Sequence, residues 1–537
     1  MPVTVRRAAP ALIAGLALLL SACSGTPSGG GAAGTAGASP KNGGTLTFAL
    51  QSAPQSANPR AFLDTAAGYV NRQLFDSLVS QDPDTGEIVP WLATSWKVNA
   101  DATEFTFHLR NGVTFSDGTQ LTAGVVKANF DDMVANRAKL NPSIVPVLAS
   151  FSEAVATDES TVTLSFSRPN APFLVEAAGT GLSLVAPATL ALPWDQRVDK
   201  VVGSGPFVLD TFASGQVTLS RREGYRWGAG RRGSTAAAHL DRVVFKVIPE
   251  SSVRTGSLRS GQILAVSDVP PGDITAARDS GLHIINRSNP GLVWGLVPIS
   301  ARSPLDDVRV RRALALAVDR TEVRDAVLSP EFAPATSPLA ATTPGYTDLG
   351  ASMGHDLTEA GRLLEAAGWT RGDGGVRRKG GRQLSLVVGW FRGYSANQKT
   401  LELIKAQFAE AGVDLRLKEQ TGVQILEGLK KTEFDLFWTN GTKADGDVLR
   451  ASFSGAPPNY YRIDDPTLEK LLQKQVATGD PEDRHVVLAR AQKRIVDQGV
   501  YIPVFEQTSV LAASRKVHGL ALGAGAGLSP LTGVWLS

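Results

Sequence analysis

The chain is poor in the side chains that build disulfides and metal sites, with one cysteine and six histidines among 537 residues. A single cysteine excludes any disulfide within the chain. No two histidines stand four residues apart, which argues against a metal site built from them. We therefore expect a fold held by packing alone, with no metal and no cofactor.

Catalytic signatures are missing too, because the sequence contains no HExxH, CxxC, Walker or GxSxG motif. The stretch Gly228-Ala229-Gly230-Arg231-Arg232-Gly233 matches GxGxxG, but a dinucleotide site needs a strand before this motif and a helix after it. Tyr225-Arg226-Trp227 precedes it and a Ser/Thr/Ala-rich stretch follows. We interpret it as a glycine-rich surface loop and expect no enzyme activity.

Excess charge and long apolar runs are also absent. The formal net charge is +3, with 43% hydrophobic and 20% charged residues, as in an ordinary globular protein that does not bind nucleic acid. The apolar run from Ala8 to Leu20 is too short to span a membrane, which takes about 20 residues. It follows Arg6 and Arg7 and precedes small residues, a pattern typical of a secretory signal.

The only cysteine, Cys23, directly follows Leu20-Ser21-Ala22 at the expected cleavage point. This resembles the bacterial lipoprotein signal, in which the cysteine is lipidated and becomes the mature N-terminus. Residues 1–22 would be the signal peptide, and residues 23–42, rich in Gly, Ala and Ser, a flexible linker. A structural thiol beside an ordinary signal peptide is the alternative. We expect an extracytoplasmic protein, lipid-anchored to the bacterial cell membrane.

Alternating apolar residues dominate the first half of the folded part. Thr45 to Leu50 and Val162 to Phe166 read as strands, and Thr65 to Ser80 as a helix that ends near Leu78-Val79. Asn111-Gly112 between two alternating runs predicts a hairpin of Phe105–Arg110 with Val113–Phe115. Thr122 is a candidate cap for a helix.

The second half shows helical spacing and alternating element types. Val310 to Val318 and Ala360 to Ala367 read as amphipathic helices. A strand near Leu386, a helix near Ile404 and a strand near Leu415 predict a parallel pair with a right-handed crossover. Asp465-Pro466 and Asp480-Pro481 read as helix starts. The fold class is therefore mixed α/β, and about 495 residues suggest two or three lobes.

Several short blocks occur in an order and spacing that resemble one family over roughly Gly43 to Val517. The blocks are Leu74–Val79, Thr85–Trp96, Phe105–Gly118, Gly203–Phe207, Asp307–Leu314, Ala366–Trp369 and Tyr501–Val504. They are similar to the extracellular solute-binding proteins of the dipeptide/oligopeptide/nickel class, which serve ABC importers.

This resemblance implies a periplasmic-binding-protein-like, two-lobe architecture with an extra inserted domain. The first domain would be split into residues 43–90, 203–290 and 507–537. Residues 91–202 would form the insertion, and residues 291–506 the opposing α/β lobe. The chain crossings near Asn289-Pro290 and Glu506-Gln507 would be hinges that let the lobes close on a ligand.

The resemblance also implies site residues. In peptide-binding members an Asp after a Trp-ending strand holds the ligand's ammonium; here Trp438 leads to Asp445, with Asp447 in reserve. An Arg after a strand holds the carboxylate, and Arg392 offers the planar fork for it. The other candidates are the apolar walls Trp390, Phe391 and Tyr394 and the first-lobe contacts Thr65, Ala66 and Gly68. Alternatively, both loops are solvated surface turns.

The expected function is a lipid-anchored receptor that captures short peptides and delivers them to an ABC importer. Its partners would be the permease and ATPase subunits of that importer, and it would act as a monomer. A nickel complex, a sugar or another small solute is the alternative ligand within this class. A secreted hydrolase is a remote alternative, since no activated nucleophile or metal constellation supports it.

Overall fold

The computed structural model describes residues 39–61, 64–229, 237–372 and 374–537. The predicted signal peptide, Cys23, most of the linker and part of the GxGxxG stretch lie outside these residues. Within them, no helix combines the length and the apolar composition needed to cross a membrane.

The strands are β1 (Thr45–Leu50), β2 (Val79–Gln81), β3 (Ile88–Pro90), β4 (Ala93–Val98), β5 (Glu104–Leu109), β6 (Phe151–Ala156), β7 (Thr161–Phe166), β8 (Phe207–Ala213), β9 (Gln216–Arg221), β10 (Arg242–Val247), β11 (Ala265–Val266), β12 (His283–Ser288), β13 (Gly291–Pro298), β14 (Thr370–Arg371), β15 (Arg377–Lys379), β16 (Arg382–Gln383), β17 (Ser385–Phe391), β18 (Asp414–Gln420), β19 (Leu436–Thr442), β20 (Ile502–Phe505), β21 (Thr508–Ala513), β22 (Val517–His518) and β23 (Trp535–Leu536). The helices are α1 (Thr65–Leu74), α2 (Ala123–Ala135), α3 (Phe173–Ala178), α4 (Pro187–Leu190), α5 (Ser251–Arg259), α6 (Pro271–Asp279), α7 (Val308–Leu316), α8 (Arg320–Val327), α9 (Leu357–Ala366), α10 (Asn397–Glu410), α11 (Gly422–Lys431), α12 (Val448–Phe453), α13 (Pro466–Val476) and α14 (Pro481–Asp497).

Three larger sheets organise the molecule. The seven-stranded sheet has the order β12-β21-β11-β1-β10-β9-β8, the four-stranded sheet β4-β5-β7-β6, and the five-stranded sheet β18-β17-β19-β13-β20. We call the part built on the seven- and four-stranded sheets the first lobe, and the part built on the five-stranded sheet the opposing lobe. The mixed α/β class and the two-lobe architecture are confirmed.

The chain passes between the lobes twice. β12 of the first lobe is followed by β13 of the opposing lobe, with Asn289-Pro290 between them. β20 is followed by β21 of the first lobe, with Glu506-Gln507 between them. Asn289 N donates to Gln507 O at 2.7 Å, so the two crossings lie side by side.

Many predicted elements form where the pattern places them. Thr122 caps α2, and its side chain accepts a hydrogen bond from Val125 N. Asp465 and Asp480 cap α13 and α14, each with a proline in the first turn. β17 and β18 pair in parallel and α10 connects them, which confirms the predicted parallel pair and its helix.

The predicted helix from Thr65 to Ser80 is too long, because α1 ends at Leu74 and Phe75 is already extended. The carbonyl of Leu74 accepts a hydrogen bond from Gly205 N at 2.9 Å instead of from the next helical turn. Gly203 packs so closely there that a Cβ would lie 2.0 Å from Leu74 O. Val79 then enters β2, so tertiary contacts override the apolar periodicity.

The predicted hairpin at Asn111-Gly112 is also wrong. β5 pairs with β4 on one side and β7 on the other, so neither of its edges is free. Val113 O instead accepts from Leu121 N at 3.0 Å, within the loop that precedes α2. Gly112 does adopt the positive φ of a turn, 75°. The turn was identified correctly but the pairing was not, because a longer-range strand occupies the edge.

Candidate ligand-binding site

The predicted site residues lie in four separate surroundings, three of them in the opposing lobe. Thr65 and Ala66 line a cavity of about 220 Å³ in the first lobe. We call it the first-lobe cavity; its lining residues are Leu50, Gln51, Ser52, Asp64, Thr65, Ala66, Tyr69, Ser267 and Asp268. Gly68 lies one turn further along α1 and is not part of this lining.

The cavity is placed by the first turn of α1 and the ends of β1 and β11. Asp64 is the N-cap of α1, and its Oδ1 accepts from Ala67 N at 2.6 Å. Ser267 and Asp268 follow β11, and Ser267 N donates to Ala49 O at 3.0 Å, which ties them to β1. The open ends of two parallel strands and a helix start therefore meet here, a common place for a ligand in an α/β fold.

Asp445 and Asp447 are both buried after β19, in a network of charged side chains. Asp445 Oδ2 and Oδ1 accept from Arg484 Nη1 and Nη2 at 2.8 and 2.5 Å. Burial raises the pKa of the Asp445 carboxyl, but Arg484 outweighs burial and the pKa lies below its ordinary value. Asp447 likewise accepts from Arg450 Nε at 2.7 Å. A ligand ammonium would have to displace these partners, so the ammonium-binding role of either Asp stays a prediction.

Lys443, just before Asp445, connects this network to the first lobe. Its Nζ lies 2.9 Å from Glu176 Oε1 on α3 and 3.7 Å from Asp447 Oδ2. Burial raises the pKa of the Glu176 carboxyl, with Lys443 acting against the shift. Two further hydrogen bonds cross between the lobes nearby, from Gln81 Nε2 to Ala444 O at 3.3 Å and from Ala171 N to Val476 O at 2.9 Å.

Trp390, Tyr394 and Trp438 lie in one aromatic cluster with Trp294 and Phe505. Trp294 stacks on Trp438 and Tyr394 with ring centroids 5.4 and 6.0 Å apart. Trp438 Nε1 donates to Asn397 Oδ1 at 2.9 Å. Trp294 Nε1, Trp390 Nε1 and Tyr394 OH have no hydrogen-bond partner among the described residues. Trp390 and Trp438 are therefore core side chains of the opposing lobe, and Tyr394 lies at the edge of that core.

Arg392 and Phe391 lie on the surface beyond this cluster. Arg392 forms a two-pronged ion pair with Glu419, both nitrogen-to-oxygen distances being 2.9 Å. The hydrogen bonds to Glu419 raise the pKa of the guanidinium. Its side chain is 70% exposed. Since Glu419 already occupies the fork, binding of a ligand carboxylate by Arg392 stays a prediction that requires this pair to open.

Sequence reasoning missed the partners that give these residues their surroundings. Arg484 is 39 positions from Asp445 and Glu176 is further still, and no local motif links them. Asp268 and Tyr69 of the first-lobe cavity were missed as well. A polar pair after a buried strand, Ser267-Asp268 after Ala265-Val266, was the available signal for Asp268. Across the described residues, no group of three or more His, Cys, Asp or Glu side chains could hold a metal ion.

Comparison with known proteins identifies the class. The profile of the bacterial extracellular solute-binding proteins, family 5 Middle, matches residues 87–456. The dipeptide-binding protein of Escherichia coli K12 is 26% identical over 88% of this chain and 91% of its own length. Protein XP55 of Streptomyces lividans is 29% identical over 79% and 77%. The nickel-binding periplasmic protein of E. coli K12 is 25% identical over 84% and 87%.

Solved structures show the same fold. NikA from Brucella suis, in complex with Fe(III)-EDTA, superposes with a TM-score of 0.80 at 22% identity, covering 92% of this chain and all of that one. DppA from Helicobacter pylori, in complex with the peptide STSA, gives a TM-score of 0.70 at 23% identity and covers 92% and 98%. These relatives are binding receptors and not enzymes. The chain belongs to family 5 of the bacterial extracellular solute-binding proteins, the receptors of ABC importers.

Proposed function

We propose that this receptor captures short peptides between its two lobes and passes them to the permease and ATPase subunits of an ABC importer. One observation carries the choice of peptides: the similarity to a dipeptide-binding protein extends over 88% of this chain. The position of the first-lobe cavity, at the open ends of β1 and β11, supports a ligand site on the first lobe. Thr65 and Ala66 are the predicted contacts that lie there.

The two crossings at Asn289-Pro290 and Glu506-Gln507 are the proposed hinge. Glu506 is buried there, and its carboxylate accepts from Ser288 Oγ and from Ala341 N. Burial raises the pKa of this carboxyl, with the two hydrogen bonds acting against the shift. Because the described part of the chain crosses between the lobes at these two places, closure needs backbone rotation at few residues. Of the domain boundaries predicted from the sequence, those at 290/291 and 506/507 are the ones that this hinge would explain.

Native mass spectrometry of the purified protein tests the ligand class. We expect a co-purified peptide, or binding of members of a di- to pentapeptide library with calorimetrically measurable affinity. Peptides must be recovered uncleaved, since cleavage would indicate a hydrolase. Absence of binding by every peptide, with retention of a nickel complex or a sugar, would contradict the proposal in favour of the alternative that the nickel-binding relative supports.

Lipid anchoring at Cys23 is the second part of the proposal. It is supported by the position of the only cysteine after Leu20-Ser21-Ala22. The variant Cys23→Ala should leave the membrane fraction or remain unprocessed, while Ser24→Ala should behave as wild type. Normal membrane retention of Cys23→Ala in cell fractionation would contradict the anchor without affecting the peptide proposal.

A further inference from the structure

The first-lobe cavity has an unbalanced charge. Its lining contains two carboxylates, Asp64 and Asp268, and no lysine, arginine or histidine. The remaining lining residues are neutral and include Ser52, Thr65 and Tyr69. Such a lining is electrostatically favourable for a positive group and unfavourable for an anion.

The two carboxylates differ in how much of their hydrogen-bonding capacity is used. The Asp64 carboxylate caps the N-terminus of α1, where it accepts a hydrogen bond from Ala67 N. Asp268 Oδ2 accepts only from the neighbouring Ser267 Oγ, at 2.6 Å, and the side chain forms no ion pair with any residue in the described ranges. Arg254 is not part of the lining; its charge interacts with that of Asp268, but its guanidinium donates to the carbonyls of Asp268, Ile248 and Pro249, at 2.6 to 3.0 Å, and not to the carboxylate. Asp268 therefore keeps an accepting oxygen available to a ligand.

The backbone of Asp268 is held in an unusual conformation. Its φ is +54°, in the left-handed region that residues other than glycine seldom adopt. Backbone strain of this kind is concentrated at binding sites. Here it coincides with the placement of Asp268 at the cavity, and the hydrogen bond from Arg254 Nη2 to the Asp268 carbonyl, at 3.0 Å, holds the backbone there.

Tyr69 gives an independent indication of a ligand. Only 2% of this residue is exposed, and its side chain lines the cavity. Its hydroxyl forms no hydrogen bond with any described residue, and it is not among the polar atoms that are both unpartnered and fully shielded. The oxygen therefore opens onto the cavity, where a ligand can supply the partner that a tyrosine hydroxyl usually has. Burial, helped by the nearby Asp268 charge, raises the pKa of the phenol, so the hydroxyl stays neutral. It can accept a hydrogen bond from a ligand and donate one in turn.

We propose that the first-lobe cavity binds a cationic group of the ligand, an ammonium or a guanidinium, on the carboxylate of Asp268 with Tyr69 as a second hydrogen-bond partner. Such a group carries only donors, and Asp268 and Tyr69 supply acceptors. This inference rests on the proposed function, since the cationic group would be a basic side chain or the amino terminus of a bound peptide. Asp268 would then determine which peptides are preferred.

The test compares alanyl-arginine with alanyl-citrulline, which has nearly the same shape but no side-chain charge, on the wild type and on Asp268→Asn. Loss of one charged hydrogen bond should weaken alanyl-arginine about tenfold in the variant and leave alanyl-citrulline unchanged. Equal weakening of both, absent for their N-acetylated forms, assigns the cation to the amino terminus. Tyr69→Phe should lower affinity for the same peptides by a smaller factor.

Asp279→Asn is the matched control, because Asp279 is an exposed acid at the end of α6 outside the cavity. It should leave all affinities unchanged. If both peptides bind and Asp268→Asn alters neither, or weakens the free and the N-acetylated forms of both peptides alike, the inference is overturned while the peptide proposal stands.

Two small probes separate this inference from the peptide proposal. Ethylguanidinium and neutral ethylurea are compared by saturation-transfer NMR, with the wild type and Asp268→Asn. Preference for ethylguanidinium that disappears in Asp268→Asn supports the cation site even if no peptide binds. Equal binding of the two probes, or none, overturns it.

Discussion

Asp445 is a carboxylate enclosed by cations, and its surroundings indicate what it contributes to the folded molecule. Arg484 holds both of its oxygens, and Asp447 N donates to Oδ1 at 2.7 Å. Gln475 Oε1 accepts from Arg484 Nη2 at 2.8 Å and completes the network. A buried charge without its partner is strongly disfavoured, so these groups depend on each other.

The variant Asp445→Asn should therefore lower the free energy of unfolding by about 3–5 kcal/mol, since it leaves Arg484 buried without a counter-charge. Urea unfolding at neutral pH measures this loss. Asp497→Asn is the control, because it breaks an exposed pair with Lys493 that is worth at most about 1 kcal/mol. If Asp445→Asn is as stable as that control and loses affinity only for peptides with a free amino group, the ligand role is correct instead.

Asp76 is another buried acid, in the turn between α1 and β2. It accepts from Trp227 Nε1 at 2.8 Å and Tyr225 OH at 3.2 Å. Burial raises its pKa from 3.8 to about 6, with these hydrogen bonds acting against the shift. A carboxyl with a raised folded-state pKa contributes stability at low pH that is lost as the pH rises through about 6.

From pH 7 to pH 5 the wild type should therefore gain roughly 1 kcal/mol of stability relative to Asp76→Asn, which cannot titrate. The measurement is urea unfolding of both proteins at the two pH values. Parallel changes in the two proteins would show that Asp76 does not titrate in this range.

At the scale of the element, the entry of β13 into its sheet depends on one glycine. Gly291 has a φ of +106° and begins the strand that pairs with β19 on one side and β20 on the other. A Cβ at this position would lie 2.3 Å from Gly441 O and 2.6 Å from Lys443 N. The close backbone approach therefore excludes any side chain.

Gly291→Ala should lower the free energy of unfolding by at least about 2 kcal/mol, because both the backbone conformation and the contact are unfavourable. Chemical denaturation measures the change. Gly272→Ala in α6 is the control, since a Cβ there meets nothing within 4 Å and should stabilise the helix by a few tenths to about 1 kcal/mol. Equal stabilities for the two variants would contradict this account of β13.

The elements also show how far the sequence determines the structure. Local signals predict α2, α13, α14 and the β17–α10–β18 unit, because caps and apolar spacing act within a few residues. They fail where a distant segment decides the outcome, as at the end of α1 beside Gly205 and at the edge of β5. The candidate site has the same limit. Asp445 and Arg392 could be selected from their positions after a strand, but their ion-pair partners Arg484 and Glu419 come from elsewhere in the chain.

At the scale of the whole molecule, both polar contacts and a continuous core connect the two lobes. Lys443 reaches Glu176 across the lobes at 2.9 Å. One hydrophobic cluster includes Ala49 and Ile274 of the first lobe and Trp294 and Phe332 of the opposing lobe. Motion between the lobes must keep this cluster packed, so we expect rotation near the crossings and separation at the Lys443–Glu176 side.

Replacing Lys443 by Met removes the charge that attracts Glu176 and should increase the population of open molecules. Small-angle X-ray scattering should then show a larger radius of gyration than for the wild type, and saturation with a bound peptide should reduce the difference. Lys493→Met, at an exposed position on α14, should scatter as the wild type does. Identical profiles for Lys443→Met and wild type would show that this ion pair does not hold the lobes together.

The chain enters and leaves the opposing lobe through two neighbouring strands, since Trp294 of β13 pairs with Phe505 of β20. All five strands of its sheet lie between these two crossings, so the lobe is one uninterrupted piece of polypeptide. The coding sequence of the opposing lobe is therefore one continuous segment. Recombination at two points would exchange this entire lobe of the receptor while leaving the first lobe and its cavity unchanged.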